Sequence, residues 1–504
     1  MNSPALPLPL TDHLPSELME QILGEAKCDN QILLTCLPVC TAWHSFLISS
    51  LYESIHLHSR PQLSKLARAA CIYPAVRARL ASARAITFCG GRRDDLKDLD
   101  RTFAYRTFPL VLGPHLPSVQ HLSFLCCRLR SLHPTYFARL PQLANVRSLS
   151  LDTCHLKSFS EFQRLVCAFP LLEELHLKGS VIYGQRPRDL QSPLLPGRHS
   201  VLRAPRLTLI RMNELRMELV HALVVWLTMT STTALSSLRA LDISWHWQHI
   251  EQGMDSNLVN LILPCSSKVE RVRMTCGGPG YLAAGTRQLT ALCLRRLGQL
   301  AHLRTLDIMV AFSEPTSEKF TEVLRDTLSA LANPTLEAVR LELQLLSGRD
   351  THLQEANSDH TRFHDLHAVL TRTAFDRLAR VAVIMNSRRQ VPKRSALRDV
   401  VAGNLRLLRA LFAPWLARGA VKLLVSEVRN SGKYAGVVAK SGEDPFWIGG
   451  DAGMRTRERL LADWDVTATQ LYEYLPACDK HKHDTDWPRE RPSVNSEPMG
   501  PKQS

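Results

Sequence analysis

The chain has 504 residues, 45% of them hydrophobic, and 62 Lys and Arg against 47 Asp and Glu give a formal charge of +15. That length and apolar content suit several domains or one extended one, and the lack of any long unbroken apolar run argues against a membrane span. The 13 scattered cysteines, an odd number, point to reduced thiols and so to the cytoplasm or nucleus, while the basic balance favours acidic partners.

Residues 1–9 read as a flexible start, rich in Pro and Leu but without the basic start and small-residue cleavage site of a secretory signal. Leu14-Pro15-Ser16-Glu17 then opens a helix: proline fits the first turn, where its missing N–H costs nothing, and Glu17 suits the positive helix end. Leu18, Ile22 and Leu23 share one apolar face of it. Asp29 or Asn30 can cap a second helix over Gln31 to Leu37, and Pro38 can begin a third that runs through Val39, Cys40, Trp43 and Leu47. Three helices in about 40 residues bury little surface alone, so their apolar side chains need a partner.

This stretch, 10–57, resembles the F-box: Leu14-Pro15, the acidic Glu17, the Leu/Ile face, and Val39-Cys40-Thr41-Ala42-Trp43 in the place of the family's Val-Cys-x-x-Trp, with Leu51-Tyr52 closing it. The resemblance implies docking on the Skp-family adaptor of a cullin–RING ubiquitin ligase. By position it assigns Leu14, Pro15, Leu18, Ile22, Val39 and Trp43 to that contact or its support. An indole is often half core and half interface, so Trp43 and Leu23 serve a small helical core equally well.

From His56 to Ala85 the chain reads as a helical connector. A triad of the form apolar-x-x-apolar-x-apolar then recurs: Ala83/Ile86/Phe88, Val119/Leu122/Phe124, Val146/Leu149/Leu151, Leu172/Leu175/Leu177, Leu207/Ile210/Met212, Leu238/Leu241/Ile243, Val269/Val272/Met274, Leu303/Leu306/Ile308, Leu336/Val339/Leu341, Leu378/Val381/Val383 and, last, Ala420/Leu423/Val425. Its middle positions are spaced by 26 to 42 residues, a drifting period of a stacked repeat. The last two apolar positions alternate as in a short strand with both side chains inward. Phe159-Phe162-Leu165-Val166 and Phe320-Val323-Leu324-Leu328 carry helical spacing between triads. Leu149-x-Leu151-x-x-Cys154-x-Leu156 and Leu122-x-Phe124-x-x-Cys127-x-Leu129 resemble the leucine-rich repeat, in which the Cys fills a buried turn position. The expected fold is therefore α/β: an N-terminal three-helix F-box, then an irregular leucine-rich-repeat-like solenoid (a horseshoe) over 58–428. The degenerate repeat beside the F-box resembles the large sets of such proteins in mushroom-forming fungi.

Gln185–Arg203, Cys276–Gly280, Ser347–Arg362 and Asn386–Asp399 read as loops or insertions, and Ser441–Gly453 as turn-rich. Residues 429–477 read as a C-terminal cap or extension and 478–504, polar and proline-containing, as a disordered tail.

No phosphate-binding, dinucleotide-binding, zincin or hydrolase-elbow motif occurs, so a non-catalytic subunit is expected, without cofactor. Cys478-x-x-His481-x-His483 lacks a fourth ligand nearby, and no metal is expected there. The resemblance implies a substrate-recognition subunit of an SCF-type ligase, with a Skp-family adaptor, a cullin through it, and a protein target as partners. The alternatives are an interaction scaffold outside ubiquitin ligation and, less favoured at 6% aromatic content, a nucleic-acid-binding solenoid.

Overall fold

One pair of apolar positions recurs in every repeat and builds a single sheet. The structure, a computed structural model, describes residues 17–18, 21, 30–90, 104–129, 132–179, 181–182, 205–215, 217–230, 236–246, 268–277, 295, 297–312, 317–331, 333–345, 363–387, 404–419, 421–428, 434–440 and 446–449. All of them lie within the unit Met1–Met454. The sheet contains β1 (Ser54–Leu57), β2 (Ala85–Cys89), β3 (His121–Leu125), β4 (Ser148–Asp152), β6 (Glu174–Lys178), β8 (Leu209–Asn213), β9 (Ala240–His246), β10 (Arg271–Gly277), β11 (Thr305–Phe312), β12 (Ala338–Leu345), β13 (Arg380–Ser387), β14 (Val421–Val428), β15 (Tyr434–Lys440) and β16 (Phe446–Gly449). Strand order follows chain order throughout. The first twelve are parallel and the last two antiparallel, and the sheet does not close. Two short strands, β5 (His155–Leu156) and β7 (Val181–Ile182), pair separately just beyond the ends of β4 and β6.

The register is uniform. Ile55, Ile86, Leu122, Leu149, Leu175, Ile210, Leu241, Val272, Leu306, Val339, Val381 and Val421 form one column across the twelve parallel strands. The residue two positions on forms a second column, from Leu57 through Leu177 to Leu423, and both columns are buried in one continuous core. The leading triad positions from Ala83 to Leu378 are buried in the same core. It is closed by helices on that face, among them Arg60–Ile72, Pro74–Ala81, Phe159–Cys167, Met217–Thr230, Ser317–Ala330 and 404–411. Ser158 caps the helix Phe159–Cys167, its hydroxyl accepting from the Glu161 N–H at 3.2 Å, and Phe159, Phe162, Leu165 and Val166 are all buried.

In the first half each strand stops after five residues or fewer, because the chain turns sharply. Cys126, Thr153, Gly179 and Glu214 occupy the same repeat position with φ of 53–54°. Their N–H groups donate to Asp152 O, Lys178 O, Asn213 O and Ser244 O of the following strand. A non-glycine residue there costs about 1–2 kcal/mol, which this hydrogen bond helps to offset. At the equivalent Gly90 an ideal Cβ would lie 2.2 Å from Cys126 O, so only glycine allows the approach. One residue beyond these turns lie Cys127 and Cys154. Their thiols donate inward, Cys127 to Phe88 O at 3.4 Å and Cys154 to Phe124 O at 3.1 Å. From β9 to β15 the strands extend to 7–8 residues.

Several local expectations differ from the structure. The stretch expected as a helical connector from His56 begins as strand: Ser54–Leu57 pairs with β2, and the helices start at Arg60. Pro38 does not open a helix. It lies in the turn before the helix Thr41–Glu53, which is capped by Cys40, whose Sγ accepts from the Trp43 N–H at 3.5 Å. In the last repeat the inward pair is Val421/Leu423 rather than Leu423/Val425, since Val421 pairs with Val381. Cys276 and Gly277 end β10 and Asn386 and Ser387 end β13, where loops were expected, and Phe446–Gly449 is a strand within the turn-rich segment. The expected loops Gln185–Arg203 and Ser347–Arg362, the part of the expected C-terminal extension after Gly449, and the tail with Cys478, His481 and His483 lie outside the described residues.

Candidate interaction surfaces

The first surface is N-terminal. Glu17, Leu18 and Gln21 are helical, followed by the helices Asn30–Cys36 and Thr41–Glu53. Leu33 and Leu47 form a small buried cluster of their own, with Cys36, Leu37, Trp43 and Leu51 packed against it, separate from the core of the sheet. Leu18, Ile32, Leu34 and Val39 face outward, 47%, 45%, 58% and 38% exposed. Of the six expected adaptor-contact residues, Leu18 and Val39 are thus exposed and Trp43 is half-buried against the small cluster. Leu14, Pro15 and Ile22 lie outside the described residues. Ile32 and Leu34 join the exposed set although the sequence pattern did not single them out; they flank the buried Leu33 on a short helix.

The second surface is the sheet face opposite the core. Between the two inward positions of each repeat sits one outward residue, and from β8 to β12 these are Arg211, Asp242, Arg273, Asp307 and Arg340, lateral neighbours in strict charge alternation. Arg211 Nε lies 3.5 Å from Asp242 Oδ2. Arg273 Nε lies 3.5 Å and Arg340 Nη1 3.7 Å from Asp307 Oδ2, and Arg340 Nη2 donates to Glu342 Oε2 at 3.4 Å. Burial pushes the Asp307 carboxyl above its ordinary range, against the pull of Arg340 and Arg273 and with the push of Glu342 and Asp242. Three Arg against two Asp and Glu342 leave the row balanced. A phosphodiester strand, which needs a surplus of cations, is a poor match for it.

Toward β3–β6 the same face carries His121, Glu174 and His176. His176 Nε2 is 3.4 Å from Glu174 Oε2. Burial depresses the His121 pKa below 6.5, with Glu174 opposing and His176 adding to the effect; burial likewise depresses His56, with His58 adding to it. For Glu174 burial pushes upward, but hydrogen bonds from His176 and Ser148 and the charges of His176 and His121 carry it below its ordinary value. A histidine whose pKa falls on folding contributes stability that is present above 6.5 and lost as pH falls through the lower folded value. Urea unfolding midpoints are therefore expected to decline between about pH 7.5 and 5.5, and His121→Gln should flatten that slope. A wild-type midpoint independent of pH in this window would remove the assignment.

The buried Cys127 thiol is a poor nucleophile: burial, and then Cys154 beside it, pushes it well above its ordinary value, which disfavours the thiolate. Among the described residues no group of three His, Cys, Asp or Glu could hold a metal ion, and no helix is long and apolar enough to cross a membrane.

These residues define an α/β protein built on an open sheet of twelve parallel strands, with one exposed apolar helical surface and one charge-alternating sheet face. No protein-family model matches the chain, and a search of curated proteins finds no significant relative.

Proposed function

We propose that this protein is a substrate-recognition subunit of an SCF-type cullin–RING ubiquitin ligase. Its N-terminal F-box helices dock on a Skp-family adaptor, and a leucine-rich-repeat-like solenoid holds a protein target. The observation that carries the reading is the outward apolar set Leu18, Ile32, Leu34 and Val39, on the N-terminal helices and the turn between them, whose small core is separate from that of the sheet. Such a set calls for a partner surface. The solenoid reading is supported by strand order following chain order, by the unbroken inward columns, and by Cys127 and Cys154 bonded to main-chain carbonyls behind the turn. The subunit needs no nucleophile: it raises the effective concentration of a target lysine near the conjugating enzyme. The balanced row from Arg211 to Glu342 suits a polypeptide target with charges of both signs.

The test compares wild type with Leu18→Glu/Val39→Glu. Both side chains are exposed, so the melting midpoint should hold. Affinity for purified Skp-family adaptor should fall more than ~30-fold, the equivalent of one hot-spot residue at about 2 kcal/mol, and cullin should disappear from affinity capture with it. If the wild type captures neither adaptor nor cullin, the ligase reading fails.

A further inference from the structure

The charge of this chain is concentrated in one part of the fold. Between Ser54 and Leu151 there are fifteen Lys and Arg against four Asp, a surplus of eleven out of the whole chain's fifteen. The four Asp all fall in 94–100, outside the described residues. The described residues of that span hold ten Lys and Arg and no acidic residue.

The helices Arg60–Ile72 and Pro74–Ala81 organise part of this charge. Leu63, Ala67 and Ala70 turn one face of the first helix into the core. Lys65, Arg68 and Ile72, spaced by three and four, share the outward face and are exposed. Among the described residues neither Lys65 nor Arg68 is engaged in an ion pair or hydrogen bond. Ile72 and Tyr73 are each 58% exposed. The Arg77 guanidinium is fixed at the C-terminal end of this helix, Nε donating to Ala70 O at 3.2 Å and Nη2 to Cys71 O at 3.3 Å, where carbonyls would otherwise lack partners. The helix Ala104–Val111 packs beside Arg60–Ile72 and adds the exposed Leu110 and Val111. The surface therefore has apolar anchors set among cations, one of them held in place.

We infer that this helical face is a docking site for an acidic polypeptide segment that carries apolar side chains. Ile72 and Tyr73 receive the apolar groups, and Lys65, Arg68 and Arg77 pair with its carboxylates. Exposed aliphatic side chains contribute nothing to a phosphate backbone, whereas apolar anchors with a charged rim are the usual make-up of a protein interface. The site uses none of the residues of the adaptor reading and stands or falls separately.

The test uses the full chain and a short fluorescent peptide of Glu and Asp with Leu at helical spacing, followed by anisotropy. The peptide should bind, and more weakly as salt rises. Lys65→Glu/Arg68→Glu should weaken it by about tenfold or more, and the milder Lys65→Gln/Arg68→Gln less. Ile72→Ser/Tyr73→Ser should weaken it comparably. Arg406→Glu/Arg409→Glu, an exposed pair on the helix 404–411, should change it by less than about twofold. The inference is overturned if the peptide does not bind, if Lys65→Glu/Arg68→Glu with an unchanged melting midpoint binds as wild type does, or if single-stranded DNA of equal charge binds as tightly as the peptide.

Discussion

Trp226→Ala is expected to lower the unfolding free energy by about 3–5 kcal/mol, a large share of the 5–15 kcal/mol typical of a folded protein. Trp226 is 1% exposed on the helix Met217–Thr230, and its ring meets Phe159 and Phe162 edge-on, with centroids 6.0 Å away in both cases. It joins the helix that precedes β6 to the helix that follows β8. Alanine removes those aromatic contacts and leaves a cavity that neighbours seated on a hydrogen-bonded sheet cannot collapse to fill. The damage should be local, since each strand bonds only its neighbours in chain order. Hydrogen exchange should show the amides of β6 and β8 losing protection well before those of β11 to β13. Trp226→Phe, which keeps an aromatic ring in the site, should cost less than half as much. A Trp226→Ala protein within about 1 kcal/mol of wild type in urea would refute this account of the core.

The apolar columns were legible because burial on one face forces period-two alternation, and Ile86/Phe88 through Val381/Val383 display it directly. The first strand was hidden in plain sequence. Tyr52, Ile55 and Leu57 have the triad spacing, but Leu51-Tyr52 also closes a helical pattern, and local sequence cannot choose between the two. The register of β14, the strand of the last repeat, was obscured for the opposite reason. The leading position of its repeat is Arg418, so the apolar signal is missing, and the turn is set by Gly419 at φ +73°. The charged row does not show in the apolar pattern because it occupies the residue between the two inward positions, where Arg211, Asp242, Arg273, Asp307 and Arg340 stand in five successive repeats. In the N-terminal segment Leu33 and Val39 are equally apolar as letters. Only packing decides that Leu33 is core and Val39 surface.

Arg340→Met should be the most costly change on the charged face, about 3–5 kcal/mol near neutral pH. Arg340 reaches two carboxylates that water barely reaches: Asp307, 14% exposed at its side chain, and Glu342, 10% exposed. Methionine keeps much of the side chain's bulk and removes the charge, so the loss reports electrostatics more than packing. Burial already holds the Asp307 pKa above 3.8 despite Arg340 and Arg273, and losing one cation must raise it further. A carboxylate whose pKa rises on folding penalises the fold above that pKa and is relieved as pH falls through it. The gap between Arg340→Met and wild type should therefore narrow on acidification, a signature that a simple packing defect would not produce. Adding Glu342→Gln to Arg340→Met should restore part of the stability at neutral pH, because the expense lies in burying carboxylates short of cations rather than in lacking an ion pair, and Asp307 keeps Arg273 beside it. If the single variant is costly at every pH alike and the double variant is no better, Arg340 acts through shape. The alternating row would then owe nothing to the pairing of its charges.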